Sequence, residues 1–343
     1  MDLTFDCFLP QGEAVSAIPD QIQEGTLVHA LMITGEAGVG KKTLARLIAS
    51  SLLCSGNGKR PCGICESCRL TAAGEHPDLI LIQRGSPLSA NVKKERTTIP
   101  VDDIREMIRL SSVHPSIGDR RVIMIFDADK MTGNAQNALL KIVEEPPAET
   151  WFLIVCERKD QLLPTIVSRC QPLRLSPWKD SYVEEILLER GVDASRAARS
   201  ARASHGSIGK ALQIAGDEEY WQFREDVLKS FFFCENRSSV LPISSKWKDR
   251  KSEAEMLFGI LEDLVELLLR LHLSGKSSME NPPETLFPEK WIRFADLCDL
   301  SAFPLLFDGI KTARNQAAAS VNFQTVVEQI LFMLMEARDK WSM

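Results

Sequence analysis

The chain has 343 residues, of which 44% are hydrophobic and 26% charged, and its formal net charge is -6. This length accommodates two or three domains with separate cores. The acidic balance argues against broad, charge-driven DNA binding by the chain alone. The first twenty residues lack the basic start and apolar run of a signal peptide, and no apolar run approaches the roughly 20 residues of a membrane span. A cytoplasmic protein with no membrane partner is therefore expected.

Residues 1 to about 175 alternate between predicted strands and predicted helices. Near-continuous apolar runs predict buried strands over 27–34, 79–82, 122–126 and 151–156. The spacing of apolar residues predicts helices over 43–54 and 137–145, and Pro146-Pro147 ends the second. This alternation is typical of an α/β fold, a parallel sheet with helices on both faces.

After Pro177 the strand pattern stops and only helices are predicted. The first of these cover 181–190, 194–203 and 209–214, and the chain is helical from about Asp217 to its end, with a loop at 281–283. We therefore expect an α/β domain at 1–176, a small helical domain at 177–216 and an all-α domain at 217–343.

The stretch GEAGVGKKT, residues 35–43, nearly matches the phosphate-binding pattern G-x-x-x-x-G-K-[ST]. Gly35, Gly40 and Lys41 occupy their expected positions, and Gly38 adds a further small residue. Such a loop lets backbone amides converge on phosphate at a helix N-terminus, while the lysine reaches the terminal phosphates. Lys42 replaces the hydroxyl that holds magnesium. Nucleotide binding therefore stays open, since glycine-rich turns also occur without nucleotide.

The other groups of a magnesium-dependent hydrolase are incomplete in this sequence. Thr43 cannot replace the missing hydroxyl, because it lies about 100° around the helix from the preceding residue. Asp127 ends the strand VIMIFDAD, the usual position of the acid that orients magnesium. The next residue is Ala128, which cannot act as a general base, and Asp129 is no substitute because it lies on the opposite side of the strand end.

Four cysteines at the spacing C-x7-C-x2-C-x2-C form the most self-sufficient motif: Cys54, Cys62, Cys65 and Cys68. Four thiolates at this spacing favour a structural zinc ion, since four protein ligands leave no open position for catalysis. An iron-sulfur cluster and free thiols stay open as alternatives. The other cysteines are expected to be buried packing residues: Cys7, Cys156, Cys170, Cys234 and Cys298.

Several stretches together resemble the clamp-loader ATPases of DNA replication, a AAA+ family. The stretch NALLKIVEEPPAETWFLIV followed by Ser168-Arg169-Cys170 carries the resemblance, and HALMITGEAGVGKKTLAR, the four cysteines, HPD and IPVDDIR extend it through most of residues 1–175. GSIGKAL and NQAAASVNFQTVVEQILFML resemble the later domains. The resemblance implies a AAA+ α/β domain with a zinc module at 54–68, a helical lid and a helical collar that mediates oligomerisation.

Active ATPases of this family carry a complete loop, an Asp-Glu pair, a polar sensor and a sensor arginine. This sequence departs from the family at all four elements: Lys42, Ala128, Cys156-Glu157 and Gly209. Together these departures imply loss of hydrolysis. Arg169 in the intact Ser-Arg-Cys motif is then implied to act as an arginine finger on a neighbour's ATP, because a guanidinium binds phosphate oxygens in a bidentate fork. Without the resemblance, Arg169 would be interpreted as part of a surface salt bridge.

The resemblance implies a non-hydrolysing subunit of the bacterial DNA polymerase III clamp loader. Its partners would be the gamma/tau and delta subunits and, through the complex, the sliding clamp and primed DNA. Two alternatives stay open. One is an active gamma-like ATPase with a variant loop, and the other is a zinc-dependent DNA-binding protein assisted by Lys93, Lys94 and Arg96.

Overall fold

The computed structural model describes residues 4–85, 97–232, 234, 237–274, 299–319 and 321–341. The predicted loop at 281–283, Cys298 and the basic residues Lys93, Lys94 and Arg96 lie outside these ranges. Within them, no helix has both the length and the apolar character needed to cross a membrane.

The described residues of the α/β region form one five-stranded sheet in which all strands are parallel, in the order β2-β3-β4-β1-β5. The strands are β1 Ala30–Thr34, β2 Leu79–Ile82, β3 Arg121–Ile125, β4 Thr150–Cys156 and β5 Gln171–Arg174. The four predicted apolar strands are confirmed, with β1 beginning three residues later than predicted. Residues of β1, β3 and β4 are almost all buried, which fits strands that are covered on both faces.

In the described residues, helices flank this sheet, and only helices and short turns follow it in the chain. Those of the first half are α1 Glu13–Ser16, α2 Ile18–Glu24, α3 Lys41–Leu53, α4 Glu66–Ala73, α5 Val101–Ser111, α6 Gly133–Glu144 and α7 Pro164–Val167. The later ones are α8 Asp180–Glu189, α9 Ala194–Ala203, α10 Ile208–Ala215, α11 Glu218–Val227, α12 Val240–Trp247, α13 Ala254–Ser274, α14 Ala302–Ala318 and α15 Phe323–Trp341. Short 3-10 and π turns join several of them.

Local sequence explains how α6 begins and ends. The hydroxyl of Thr132 accepts a hydrogen bond from the Ala135 N–H at 3.3 Å and so caps the first turn. Pro146, with no amide hydrogen to donate, follows the last turn. The apolar face of α6 packs on the sheet through Leu139 and Val143, which are buried.

The described chain forms two compact units by proximity of backbone atoms. The first comprises Met1–Ile186 with Ser204–Ala211, and the second Leu187–Ala203 with Leu212–Met343. The second has a helical core around Trp247 and a buried ion pair between Arg224 and Asp263. The predicted segment 177–216 is divided between the two units, and the three-domain division of the chain stays a prediction.

Candidate functional site

The glycine loop connects β1 to α3 at the carboxyl edge of the sheet, where β1, β4 and β3 lie side by side. Gly35, Gly38 and Gly40 have φ angles of 148°, 75° and 100°. Residues other than glycine rarely adopt such positive φ angles. The predicted strand-loop-helix context of the loop is therefore present in the fold.

The side chain of Lys41 folds back onto its own loop. Its Nζ donates to the carbonyl oxygens of Gly35 at 2.7 Å and Glu36 at 2.6 Å, and Glu157 Oε1 lies 3.8 Å away. The residue is buried, and this burial lowers the pKa of Lys41, although the charge of Glu157 opposes the effect. The lysine predicted to reach phosphate is thus engaged within the protein.

Lys42 forms an ion pair with Asp127 at the end of β3. Its Nζ lies 3.0 Å from Asp127 Oδ1 and 3.2 Å from the other carboxylate oxygen. The same ammonium group lies 5.3 Å from the centre of the Phe126 ring. The sequence shows only that Lys42 stands where the phosphate-binding pattern has a hydroxyl. The structure adds that a cation of the protein contacts the carboxylate expected to orient magnesium.

The remaining sequence-predicted positions lie in α3, directly after β3 and at the end of β4. Thr43 is half-buried in the first turn of α3, and its neighbour Lys42 makes the contact with Asp127. Ala128 is fully buried in the core beneath the sheet edge. At the end of β4, burial raises the pKa of the Cys156 thiol to about 12, so this side chain stays neutral.

The start of α10 packs directly on the glycine loop through two glycines. The N–H of Gly209 donates to the carbonyl oxygen of Gly38 at 2.9 Å. A Cβ added at Gly209 would lie 3.0 Å from Gly38 Cα, and one added at Gly38 would lie 2.2 Å from Ser207 Oγ. Gly209 therefore has a packing role in addition to its lack of an arginine side chain. No local sequence signal indicates this contact.

An aromatic cluster also covers the loop and was missed by sequence reasoning. The indole Nε1 of Trp178 donates to the carbonyl oxygen of Val39 at 2.9 Å. The ring of Phe8 lies 3.3 Å from the position that a Cβ at Gly40 would take. Tyr182 stacks on Trp178 with ring centres 4.7 Å apart. These contacts stabilise the loop in its observed conformation.

Replacing Gly209 by alanine is expected to lower the free energy of unfolding by about 1–3 kcal/mol, since overpacking at a close contact costs that much. Gly133→Ala is the matched control, because Gly133 also lies in the first turn of a helix and nothing lies within 4 Å of its added Cβ. Chemical denaturation of both variants measures the difference. Equal stabilities would show that the Gly38–Gly209 contact is not tight in solution.

Arg169 lies just after α7 at the protein surface. Its Nη2 forms an ion pair with Glu144 Oε1 at 2.5 Å, and its Nη1 donates to the carbonyl oxygen of Thr165 at 3.0 Å. Its side chain retains 39% of its accessible area. The guanidinium is therefore held by two acceptors of its own chain while part of it faces outward.

The four motif cysteines converge at the end of α3, and their Sγ atoms all lie within 4.8 Å of one another. The pairs Cys54–Cys65 and Cys62–Cys68 are separated by 3.9 and 4.0 Å. A tetrahedral zinc ion with Zn–S bonds of about 2.3 Å places sulfurs about 3.8 Å apart. The four thiols therefore fit a metal ion of this size, and an ion here would link the end of α3 to the start of α4.

Backbone amides support these sulfurs. The N–H groups of Gly56 and Cys62 donate to Cys54 Sγ, and that of Cys65 donates to Cys62 Sγ, each at 3.4 Å. Burial raises the pKa of Cys65, but hydrogen bonds, those of Ser55 foremost, outweigh it and lower the pKa to about 5. A metal-binding thiolate is favoured by such donors.

The other described cysteines mostly agree with the predicted packing role. Cys156, Cys170 and Cys234 are buried, and burial raises the pKa of Cys170 to about 11. Cys7 differs, since it is half-buried in the short N-terminal 3-10 segment Phe5–Gln11.

The strand order, the glycine loop after β1 and the acid after β3 define a AAA+ domain of the P-loop class. Residues 10–179 match the family model described as DNA polymerase III, delta subunit. The chain is 28% identical over 268 residues to the DNA polymerase III subunit delta' of Bacillus subtilis, covering 75% of this chain and 78% of that relative. It is 37% identical over 215 residues to the subunit delta' of Escherichia coli, covering 62% of this chain and 61% of that relative.

The Escherichia coli DNA polymerase III subunit tau is also similar, at 32% identity over 218 residues, which cover 62% of this chain and 32% of tau. The match to the Escherichia coli delta' subunit spans less than two thirds of that relative's length. The chain is thus similar to the delta' subunits of DNA polymerase III.

Proposed function

We propose that this chain is a non-hydrolysing subunit of a cytoplasmic bacterial clamp loader. In this role it assembles with gamma/tau and delta subunits and helps load the sliding clamp on primed DNA, using ATP bound by gamma/tau. The names of the delta' and tau relatives support membership of a polymerase III complex. Zinc held by the four cysteines would have a structural role, since four protein ligands leave no open coordination position.

The observation that carries the non-hydrolysing role is the ion pair between Lys42 and Asp127 at 3.0 Å. In an active P-loop enzyme, magnesium is held near this acid by a hydroxyl at the position of Lys42. A positive ammonium group at the same carboxylate repels a divalent cation and takes up the carboxylate's hydrogen-bonding capacity. The buried methyl group of Ala128 offers no base to activate water.

The arginine-finger role is supported by the exposure and chemistry of Arg169. Its guanidinium is part-exposed, and it uses one N–H toward Glu144 and one toward Thr165. A guanidinium carries five N–H donors, so donors remain for the oxygens of a phosphate. In the proposed complex, Arg169 completes the ATP site of a neighbouring gamma/tau subunit.

The purified subunit alone is expected to show no ATP turnover. Lys42→Thr should strengthen binding of ATP in the presence of magnesium by about tenfold or more, because it restores a hydroxyl and frees Asp127. Lys42→Met is the matched control, since it removes the charge without adding the hydroxyl. Calorimetric titration of ATP with and without magnesium measures the affinities, and a coupled assay measures turnover.

Two results would contradict this proposal. Turnover by the unmodified subunit that is abolished by Lys41→Ala would support the alternative of an active gamma-like ATPase. Equal magnesium-dependent ATP affinity for the unmodified chain and Lys42→Thr would show that the Lys42–Asp127 ion pair does not restrict the site.

A further inference from the structure

A cavity of about 240 Å³ lies between the end of α3, the cysteine cluster and the start of β3. Its polar lining residues are Ser55, Arg60, Ser67, His76, Asp119 and Arg120. The cavity belongs to the first compact unit, and none of these side chains takes part in the glycine loop or the surroundings of Arg169. It is therefore a feature that the proposed clamp-loader role does not use.

Two of these lining residues have a buried side-chain nitrogen that makes no hydrogen bond within the described part of the chain, namely His76 Nε2 and Arg60 Nε. His76 is 4% exposed. Its other ring nitrogen, Nδ1, accepts a hydrogen bond from the Asp78 N–H at 3.1 Å. In a neutral imidazole with Nδ1 as acceptor, Nε2 carries the proton. Both unpartnered atoms are therefore donors.

The other charged groups leave the cavity able to receive negative charge. Arg120 donates to the Leu52 carbonyl oxygen at 3.4 Å, and its Nε lies 3.8 Å from Glu149. Arg60 forms no ion pair with any described residue. Asp119 supplies a lining carboxylate, but its residue is exposed. Cys54 also lines the cavity, and its sulfur accepts hydrogen bonds from the Gly56 and Cys62 N–H groups.

We propose that this cavity binds an oxyanion, a phosphate or carboxylate group, through His76 Nε2 and Arg60. A buried donor without an acceptor is unfavourable, and an oxyanion offers several acceptors to converging donors. Arg60 binds such a group by the planar fork of its guanidinium, with Arg120 adding positive charge. The volume accommodates one such group together with a small substituent. The site adjoins the cysteine cluster and is distinct from the glycine loop.

The test uses the full chain, labelled with ¹⁵N in its five histidines, and titrations with inorganic phosphate, acetate and adenosine monophosphate. Phosphate is expected to shift the side-chain ¹⁵N resonance of His76 saturably. Arg60→Gln should weaken this binding by about tenfold or more. Arg105→Gln on α5 is the control, since Arg105 is exposed and pairs only with Asp102 among described carboxylates; it should bind as the unmodified chain does. Zinc content is measured for every variant to verify that the cysteine cluster is intact.

The three probes distinguish the source of the oxyanion. Saturation by phosphate and acetate alone indicates a free small anion, whereas tighter binding of adenosine monophosphate indicates a nucleotide phosphate. Both results support the site. A His76 resonance that none of the probes moves, or one that phosphate moves equally in Arg60→Gln, would overturn the proposal and leave a cavity filled by water only.

Discussion

Arg169→Ala in the reconstituted clamp loader is expected to slow ATP hydrolysis at the neighbouring gamma/tau site by about 10³- to 10⁵-fold, the range for an arginine supplied in trans. Assembly should stay intact, because Arg169 is part-exposed and its pair with Glu144 is a surface contact worth at most about 1 kcal/mol. Clamp-stimulated hydrolysis, measured with subunits of the same organism on primed DNA, reports the loss, and native mass spectrometry reports assembly.

Glu144→Ala distinguishes loss of the Arg169 guanidinium from loss of its ion pair with Glu144. It removes the same ion pair as Arg169→Ala but leaves the guanidinium and its bond to the Thr165 carbonyl oxygen. We expect a far smaller effect on hydrolysis than that of Arg169→Ala. Arg158→Ala, which breaks an exposed pair with Asp160, should have no effect. Unchanged hydrolysis in Arg169→Ala, with a fully assembled complex, would remove the finger role.

Removal of zinc is expected to unfold the segment from the end of α3 through α4. Structural zinc contributes about 10–16 kcal/mol of binding free energy in zinc-finger peptides, and the segment 54–68 has few apolar side chains to replace it. Mass spectrometry should find one zinc ion per chain. Hydrogen exchange after chelation should rise strongly within 54–73 and only weakly in the strands of the sheet.

The matched pair for this prediction is Cys62→Ser and Cys7→Ser. Both cysteines are half-buried, but only Cys62 belongs to the cluster. Cys62→Ser should lose zinc and show the exchange pattern of the chelated protein, whereas Cys7→Ser should keep zinc. A chain purified with no metal and an unchanged exchange profile after chelation would exclude a structural ion. Visible absorption with bound iron would instead support an iron-sulfur cluster.

The strands of the sheet were predictable because each is encoded by a short apolar run of neighbouring residues. β2 coincides with the predicted run at 79–82, β3 is shifted by one residue from 122–126, and β4 begins one residue earlier than predicted. Buried parallel strands require unbroken apolar runs, which are visible without any knowledge of partners. The N-terminal helices between Glu13 and Glu24 were not predicted, because their short turns lack a clear period. Their buried residues Val15, Ile18 and Ile22 indicate that packing within the fold stabilises them.

The functional positions were predictable as residues but not as contacts. The Sγ cluster followed from spacing alone, since all four cysteines lie within fifteen residues. The pair Lys42–Asp127 joins residues 85 positions apart, and Gly38 meets Gly209 across a still longer separation. The sequence pattern shows only that a hydroxyl is missing at Lys42 and an arginine at Gly209. Only the fold shows that each has acquired a new partner.

The meeting of Gly38 and Gly209 also bears on how the site could change in evolution. An arginine introduced at position 209 would place its Cβ 3.0 Å from Gly38 Cα, so that the loop backbone or α10 would have to move by a few tenths of an ångström. Such a substitution is therefore expected to disturb the packing of α10 on the loop. A larger side chain at this position therefore requires a small shift of α10 or of the loop, and substitutions that loosen the Gly38–Gly209 contact would ease that shift.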